Sequence, residues 1–366
     1  MLPQIEQKLN NAFEKIVAFF TVILYNVFVQ RFFREAVRIP ARKEKVKKMK
    51  YGFGIDVGGT SVKLGFFNEE GELLEKWEIP TRTQNGGVLI LPDISEAIDG
   101  CLARHNVTKA QVMGIGIGVP GPVANNGLVN RCVNLGWGVF NLHEALSALT
   151  GLPVKAGNDA NVAALGEYWK GGGAGCSSIV MATLGTGIGG GIIINGQILS
   201  GAHGVGGEIG HIVLNKEETE QCGCGKYGCA EQYGSATGIV RTAKRYLKKS
   251  QLPSTLRNLE NITCKDVFDH AAQGDYLAKD ILEFVYDCLG EFLADVCCVC
   301  DPELVVIGGG VSKAGQVLLD GIGRYFPHYM FHACKETRFA LAQLGNDAGM
   351  YGCFRLVLDH LTATYS

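Results

Sequence analysis

The sequence predicts an α/β protein built in two related halves that face each other across a cleft. Three observations predict it. A strand, a glycine-rich corner, a second strand, a turn and a third strand occur twice, at about residues 51–79 and again at 178–199. Around and after these runs, segments of helical periodicity alternate with short apolar strands. With 366 residues, 47% hydrophobic and 19% charged, the chain is long and apolar enough for two medium domains. The expected division is residues 49–157, residues 158–344 and a closing segment, 345–366, that packs back on the first domain. Residues 1–48 stand apart.

In that leading stretch, residues 16–29 are almost wholly apolar, and Arg31, Arg34, Arg38 and a lysine-rich run follow. The apolar run is shorter than the roughly 20 residues of a membrane-spanning helix. Two readings are open: an amphipathic helix on a membrane surface with a basic flank, or a start of translation at Met49. The second is preferred, because Met49 opens the compact domain directly. The net charge of −2 gives no reason to expect a nucleic-acid partner. The 13 cysteines, without a secretory signal, point to a reducing cytoplasm, where clustered thiols bind metal more often than they pair.

Tyr51, Phe53, Ile55 and Val57 alternate with small or polar residues, as do Val62, Leu64 and Phe66, so both runs read as strands. Between them lies DVGGT, residues 56–60. Gly58 and Gly59 would let a ligand approach the backbone and point N–H groups at it. Asp56 suits a water-held Mg2+ and Thr60 a phosphate. A third strand is expected at Leu73–Ile79, a helix at Ile94–His105 and a buried strand at Val112–Val119. Asn134, in VNLGW, lies in a loop whose Asn and Trp suit a polar, ring-bearing ligand. A helix at His143–Thr150 and a strand at Pro153–Ala156 lead into GNDAN, residues 157–161. An aspartate where a strand gives way to a helix is most often a helix cap, so Asp159 in isolation reads as a cap.

The second half opens with a strand at Ser178–Leu184 and the corner GTGIGGG, where Gly185, Thr186 and Gly187 repeat the phosphate-binding geometry of the first corner. Both corners lead into strands rather than into the helix that a dinucleotide fingerprint needs. GGEIGHIV, residues 206–213, and CGCGKYGCAEQ, residues 222–232, follow. Cys222, Cys224 and Cys229 among glycines, with His211, form a set that suits structural tetrahedral Zn2+ and braces the loop carrying Glu208 and Glu231. Helices are expected at Ala236–Lys249 and Ala278–Val299. A strand at Leu304–Ile307 runs into GGGVS, where Gly309 and Gly310 suit adenosine or phosphate, and a helix at Ala314–Tyr325 follows. A short strand, Phe339–Leu341, and a helix, Ala348–Leu361, close the chain.

DVGGT, GNDAN, LGTGIGGG, GEIGH, CGCGKYGC with Glu231, and GGGVS, in this order, make residues 49–366 similar to the ROK (repressor, open reading frame, kinase) family, and within it to the bacterial glucokinases. The resemblance implies an actin-like (sugar kinase/Hsp70/actin) two-domain α/β fold that closes over sugar and ATP, and a homodimer. By the same resemblance Asp159 is the catalytic base, Asn158, Glu208, His211 and Glu231 bind sugar hydroxyls, and His211, Cys222, Cys224 and Cys229 hold zinc.

The expected reaction is ATP-dependent phosphorylation of glucose, with Mg2+ neutralising phosphate charge and an ionised Asp159 accepting the proton of the 6-hydroxyl. A kinase for N-acetylmannosamine, N-acetylglucosamine or fructose would share every catalytic residue named, and polyphosphate stays open as donor. A sugar-responsive repressor needs a DNA-binding domain ahead of the sugar domain, and residues 1–50 are too short and too apolar to supply one.

Overall fold

Two five-stranded sheets of the same topology carry the chain. The structure, a computed structural model, describes Val17 and residues 49–365, with side chains to residue 361. Both readings of residues 1–48 therefore lie outside the described residues. Among those residues no helix is long and apolar enough to cross a membrane.

The first sheet opens with an antiparallel meander of β1 (Tyr51–Val57), β2 (Ser61–Asn68) and β3 (Leu73–Pro80). Helix α1 (Ile90–Arg104) buries Ile90, Ile94, Ile98, Cys101 and Leu102, one face of a 3.6-residue repeat. It begins before the Ile94 expected, its added first turn carrying Pro92, which suits a helix start, and Asp93, whose charge favours the helix N-terminus. Strand β4 (Val112–Val119) then pairs in parallel with β1. After a two-residue ladder of β5 (Leu128–Val129) and β6 (Phe140–Asn141) comes α2 (Leu142–Thr150). Asn141 caps it by accepting the Glu144 amide, and Gly151, at φ +70°, ends it. Strand β7 (Val154–Asn158) joins the far side of β4, giving the order β3-β2-β1-β4-β7.

Helix α3 (Asp159–Lys170) leads to the second sheet, where β8 (Ile179–Leu184), β9 (Ile188–Ile194) and β10 (Gln197–Ile198) repeat the meander. The corner is thus only Gly185–Gly187. Gly189, Gly190 and Gly191 belong to β9, where a side chain has no room: a Cβ on Gly191 would lie 2.4 Å from that of Ala164 on α3. Helices α4 (Ala236–Lys249), α5 (Cys264–Ala272) and α6 (Tyr276–Cys300) precede β11 (Leu304–Gly308), which lies parallel to β8. Next, GGGVS runs into a 3-10 turn, Val311–Ala314, and not directly into a helix. Gly315, at φ +71°, resets the backbone, and α7 (Gln316–Tyr329) follows. Strand β12 (Arg338–Leu341) completes the order β10-β9-β8-β11-β12, strand for strand the arrangement of the first sheet.

The chain ends in α8 (Ala348–Tyr365), which lies against β1 and β4 of the first sheet and crosses α3. These contacts are backbone on backbone. A Cβ on Gly54 would sit 2.0 Å from the Met350 carbonyl oxygen, and one on Gly116 1.7 Å from that of Cys353. At the helix crossing, a Cβ on Gly352 would sit 1.7 Å from the Val162 carbonyl oxygen, and one on Gly166 2.1 Å from that of Ala348. The glycines that alternate with Phe53 and Ile55, and with Ile115 and Ile117, thus form the face that receives α8. Their apolar neighbours face the core built with α1 and α2.

Gly352→Ala is expected to lower the unfolding free energy by about 3 kcal/mol or more through overpacking against a carbonyl that cannot move. Gly323→Ala, at an exposed helical position with open space, should raise it by up to about 1 kcal/mol. Urea denaturation of the two variants checks both directions.

Candidate active site

The site begins at the junction of β7 and α3. Asn158 keeps extended dihedrals, φ −67° and ψ 144°, and its Oδ1 accepts the amides of Ala160 (3.0 Å) and Asn161 (3.2 Å). Asn158 is therefore the cap, and the reading of Asp159 as a cap is corrected: Asp159 is the first helical residue. Nδ2 of Asn158 also donates to the Gly121 carbonyl at 3.2 Å, and the same side chain hydrogen-bonds the Asp159 carboxylate. Asn161 donates to the Gly206 carbonyl at 3.2 Å and so ties the GGEIGH loop to the same turn. Its buried Oδ1 has no hydrogen-bond partner among the described residues.

Asp159 accepts the Ala160 amide at 2.8 Å. Burial raises its carboxyl above the ordinary aspartate value. The Ala160 amide opposes that shift, and the nearby Glu208 carboxylate adds to it. Asp56, near the end of β1, is pushed up to about 6, first by burial; Lys63, its register partner on β2, pulls the other way and Asp159 pushes further. The two carboxylates thus sense each other. α8 closes over Asp56: a Cβ on Gly349 would lie 2.6 Å from its Cγ.

The glycine corners are partly closed on themselves. The Gly58 amide donates to the Ser61 carbonyl at 3.0 Å, so it shapes the turn and does not point at a ligand; Gly59 and Thr60 are exposed. The Gly185 amide likewise donates to the Gly187 carbonyl at 2.9 Å. The start of α4 holds this second corner, with the Ala236 amide on the Gly185 carbonyl and the Thr237 hydroxyl on that of Thr186. Gly309, at φ +81°, presses against the end of β8, where a Cβ would lie 2.5 Å from the Leu184 carbonyl oxygen. The second and third corners therefore adjoin, and Gly310 faces open space.

From Asp159 a row of polar groups continues through Glu208. Glu208 Oε2 lies 3.9 Å from His211 Nε2, and His211 Nδ1 lies 3.6 Å from Glu231 Oε1. Glu231 also touches the second corner: its Oε2 accepts the Ile188 amide at 3.4 Å. The Cys222 thiol donates to Glu231 Oε1 at 2.9 Å and sits 3.8 Å from His211 Nδ1. Cys224 and Cys229 are 3.6 Å apart, and the ligand atoms of His211, Cys222, Cys224 and Cys229 all lie within 4.8 Å of one another. Two sulfurs each about 2.3 Å from a tetrahedral zinc would be roughly 3.8 Å apart, so the set fits that ion.

Asn134 is exposed on a 3-10 turn, Val133–Leu135, and among the described residues no hydrogen bond ties it to Asp159 or Glu208. Trp137 corrects the reading of its loop. Its indole is buried in the first core with Nε1 on the Gly87 carbonyl at 3.2 Å, so it does not stack on a ligand. Sequence reasoning missed the brace beneath the cysteine knuckle. Arg245 and Arg241 clasp the buried Glu218, the Tyr233 hydroxyl donates to it at 2.8 Å, and Gln232 Oε1 accepts the amides of Gly228 and Cys229. The Arg245 contact, foremost, holds the Glu218 carboxyl well below the usual range. The only hint in the sequence was two arginines one helical turn apart.

The sequence model of the ROK family matches residues 52–360. The chain is 45% identical to the glucokinase of Halalkalibacterium halodurans over 304 residues, 82% of this chain and 92% of that protein. Among solved structures, a ROK family glucokinase from Streptomyces griseus in complex with glucose and AMPPNP superposes with a TM-score of 0.66 at 34% identity, covering 84% of this chain and 98% of that one. A ROK hexokinase from Thermus thermophilus gives 0.72 at 29% identity, covering 86% and 100%.

With a folded-state value of about 6 against 3.8 for an unperturbed aspartate, Asp56 contributes stability below pH 4 that is lost as pH rises through 6. Asp56→Asn removes that loss. Its melting temperature in the absence of nucleotide and magnesium should gain on the wild type steadily from pH 4 to pH 7, a difference that thermal denaturation at each pH reads directly.

Proposed function

The chain belongs to the ROK family, and from that premise we propose that it is an ATP-dependent glucokinase with Asp159 as general base. The observation that carries the assignment is the state of Asp159: Asn158 caps the helix, so the carboxylate beside it, raised by burial, is free to take a proton. The 6-hydroxyl oxygen of glucose attacks the γ-phosphorus of ATP, its proton passes to Asp159, the bond to the β–γ bridging oxygen breaks, and ADP leaves with glucose 6-phosphate. Burial strengthens the base, while the Ala160 amide keeps the ionised form accessible.

The polyol is held by mixed donors and acceptors: the side chains of Asn134, Asn158, Glu208 and Glu231, and Nε2 of His211. ATP lies along the corners at Gly58–Thr60, Gly185–Gly187 and Gly309–Gly310. Asp56 would hold Mg2+, which when bound would supply charge neutralisation at the phosphates. An Asp56 that resists ionisation in a bare protein is a group whose charge a cation would stabilise. His211 Nδ1 and the three cysteines would hold structural zinc; as a ligand Cys222 would be a thiolate and no longer donate to Glu231, leaving that carboxylate to sugar. The lobes are residues 49–157 and 158–344, with 345–366 returning to the first. The enzyme works in the cytoplasm as a homodimer.

Asp159→Asn keeps the size of the side chain and leaves the cap untouched. Turnover should fall about 10²–10⁴-fold while glucose still binds by calorimetry; near-normal turnover would overturn the assignment. Metal analysis of the purified protein should give one zinc per chain, and Cys229→Ser should lose it together with thermal stability. A metal-free protein of full stability and full glucose affinity would rule out the zinc site.

A further inference from the structure

Glu167, on the same helix as Asp159, is fully buried and has no part in the chemistry above. Among the described residues no ion pair reaches it. Three backbone amides do: its Oε2 accepts Gly172 N–H at 2.8 Å and Gln343 N–H at 2.9 Å, and its Oε1 accepts Leu344 N–H at 2.7 Å. These amides come from the two loops through which the chain passes between the sheets, one from α3 to β8 and the other from β12 to α8. The first loop also touches the end of β12, since a Cβ on Gly172 would lie 2.7 Å from the Leu341 carbonyl oxygen.

The second loop delivers its residues to the first lobe. The Asn346 carbonyl accepts from Lys63 at 3.3 Å, Asp347 pairs with Lys76 at 2.7 Å, and Gly349 lies against Asp56. Helix α3 rides on the second sheet through Ala164 and Gly191, and α8 on the first through Gly54 and Gly116. Where the helices cross, at Gly166 and Gly352, backbone meets backbone, and one turn on Trp169 of α3 packs against Tyr351 and Phe354 of α8, with ring centroids 6.3 and 6.2 Å away. Closure of the lobes turns about this packing, and Glu167 is the polar fastening beside it.

We propose that Glu167 is a positioning residue: by gathering both interlobe passages on one carboxylate, it fixes the pivot and hence the placing of Asp159 against the first lobe. The inference rests on the reading of the cleft as the site of sugar phosphorylation. Only a carboxylate suits the task, because both oxygens accept. In Glu167→Gln one oxygen becomes NH2 and faces a backbone N–H, so at least one of the three bonds is lost.

Glu167→Gln, checked for wild-type zinc content and circular dichroism, is assayed for glucose phosphorylation and for ATP hydrolysis without sugar. The glucose KM should rise about fivefold or more, the effect of one lost net hydrogen bond on the closed state. Hydrolysis should also rise as a fraction of transfer. If kcat falls only with the folded fraction, and KM and the hydrolysis ratio stay at wild-type values, the pivot role is refuted. Amide hydrogen exchange on the wild-type protein tests the latch without any assay, and even if the variant does not fold. The Gln343 and Leu344 amides should exchange slowly with or without glucose, whereas fast exchange at both overturns the proposal. Slow exchange in a protein that does not phosphorylate glucose would fault the functional reading and leave the latch standing.

Discussion

The contact on which the rest of the molecule depends is the crossing of α3 and α8 at Gly166 and Gly352. A Cβ at either position would fall within 2.1 Å of a carbonyl oxygen, a distance no side chain can occupy. One of these helices begins with Asp159, and the other begins beside Asp56. Close approach of their backbones therefore sets how near the two carboxylates come and how the two sheets face each other. The glycines of β1, β4 and β9 follow from the same demand, because each lets a helix lie directly on a strand. In a fold this dependent on backbone contact, glycine is a packing residue as much as a turn residue.

Around that crossing the chemistry is divided among neighbours. In GNDAN, Asn158 satisfies the open amides of the helix and holds Gly121, Asn161 holds the loop that carries Glu208, and Asp159 accepts from the Ala160 amide and the Asn158 side chain. A carboxylate so placed is buried enough to be a strengthened base and yet is not immobilised by a cation. The raised values of Asp56 and Asp159 share a first cause, burial in the cleft, and in each a neighbouring carboxylate adds to it. Such a cleft favours a cation-bearing ligand such as magnesium-bound nucleotide. On the far side, Glu218 and its two arginines brace the cysteine knuckle by ion pairing, so the loop has a support that does not depend on metal.

Much of the fold was legible because its strands alternate cleanly and its duplication shows in the sequence. The repeat at residues 51–79 and 178–199 becomes two sheets of one strand order. Failures came where glycine or tryptophan has more than one use. Gly189–Gly191 read as a continuation of a turn but are strand, because nothing in the sequence says that α3 lies on them. Trp137 read as a ligand platform but is core, held by a partner fifty residues away. Helix α5 went unread for want of a long apolar stripe. At the site, the motifs named the residue types but not their neighbours. The position of Glu231 against both the knuckle and the Gly187 corner depends on a long-range approach of two loops, which local spacing does not encode. Nor could the choice of Asn158 over Asp159 as cap be made without backbone dihedrals.

The central claim is that a carboxylate raised by its surroundings accepts the proton during transfer. The pH dependence of kcat at saturating glucose and magnesium-bound ATP tests it most directly, because saturation removes effects on binding. The account predicts an acid limb in which kcat falls tenfold per pH unit below a single apparent value lying above 3.8, the ordinary aspartate value. A kcat that stays flat from pH 8 down to pH 4 in a protein that remains folded would contradict it.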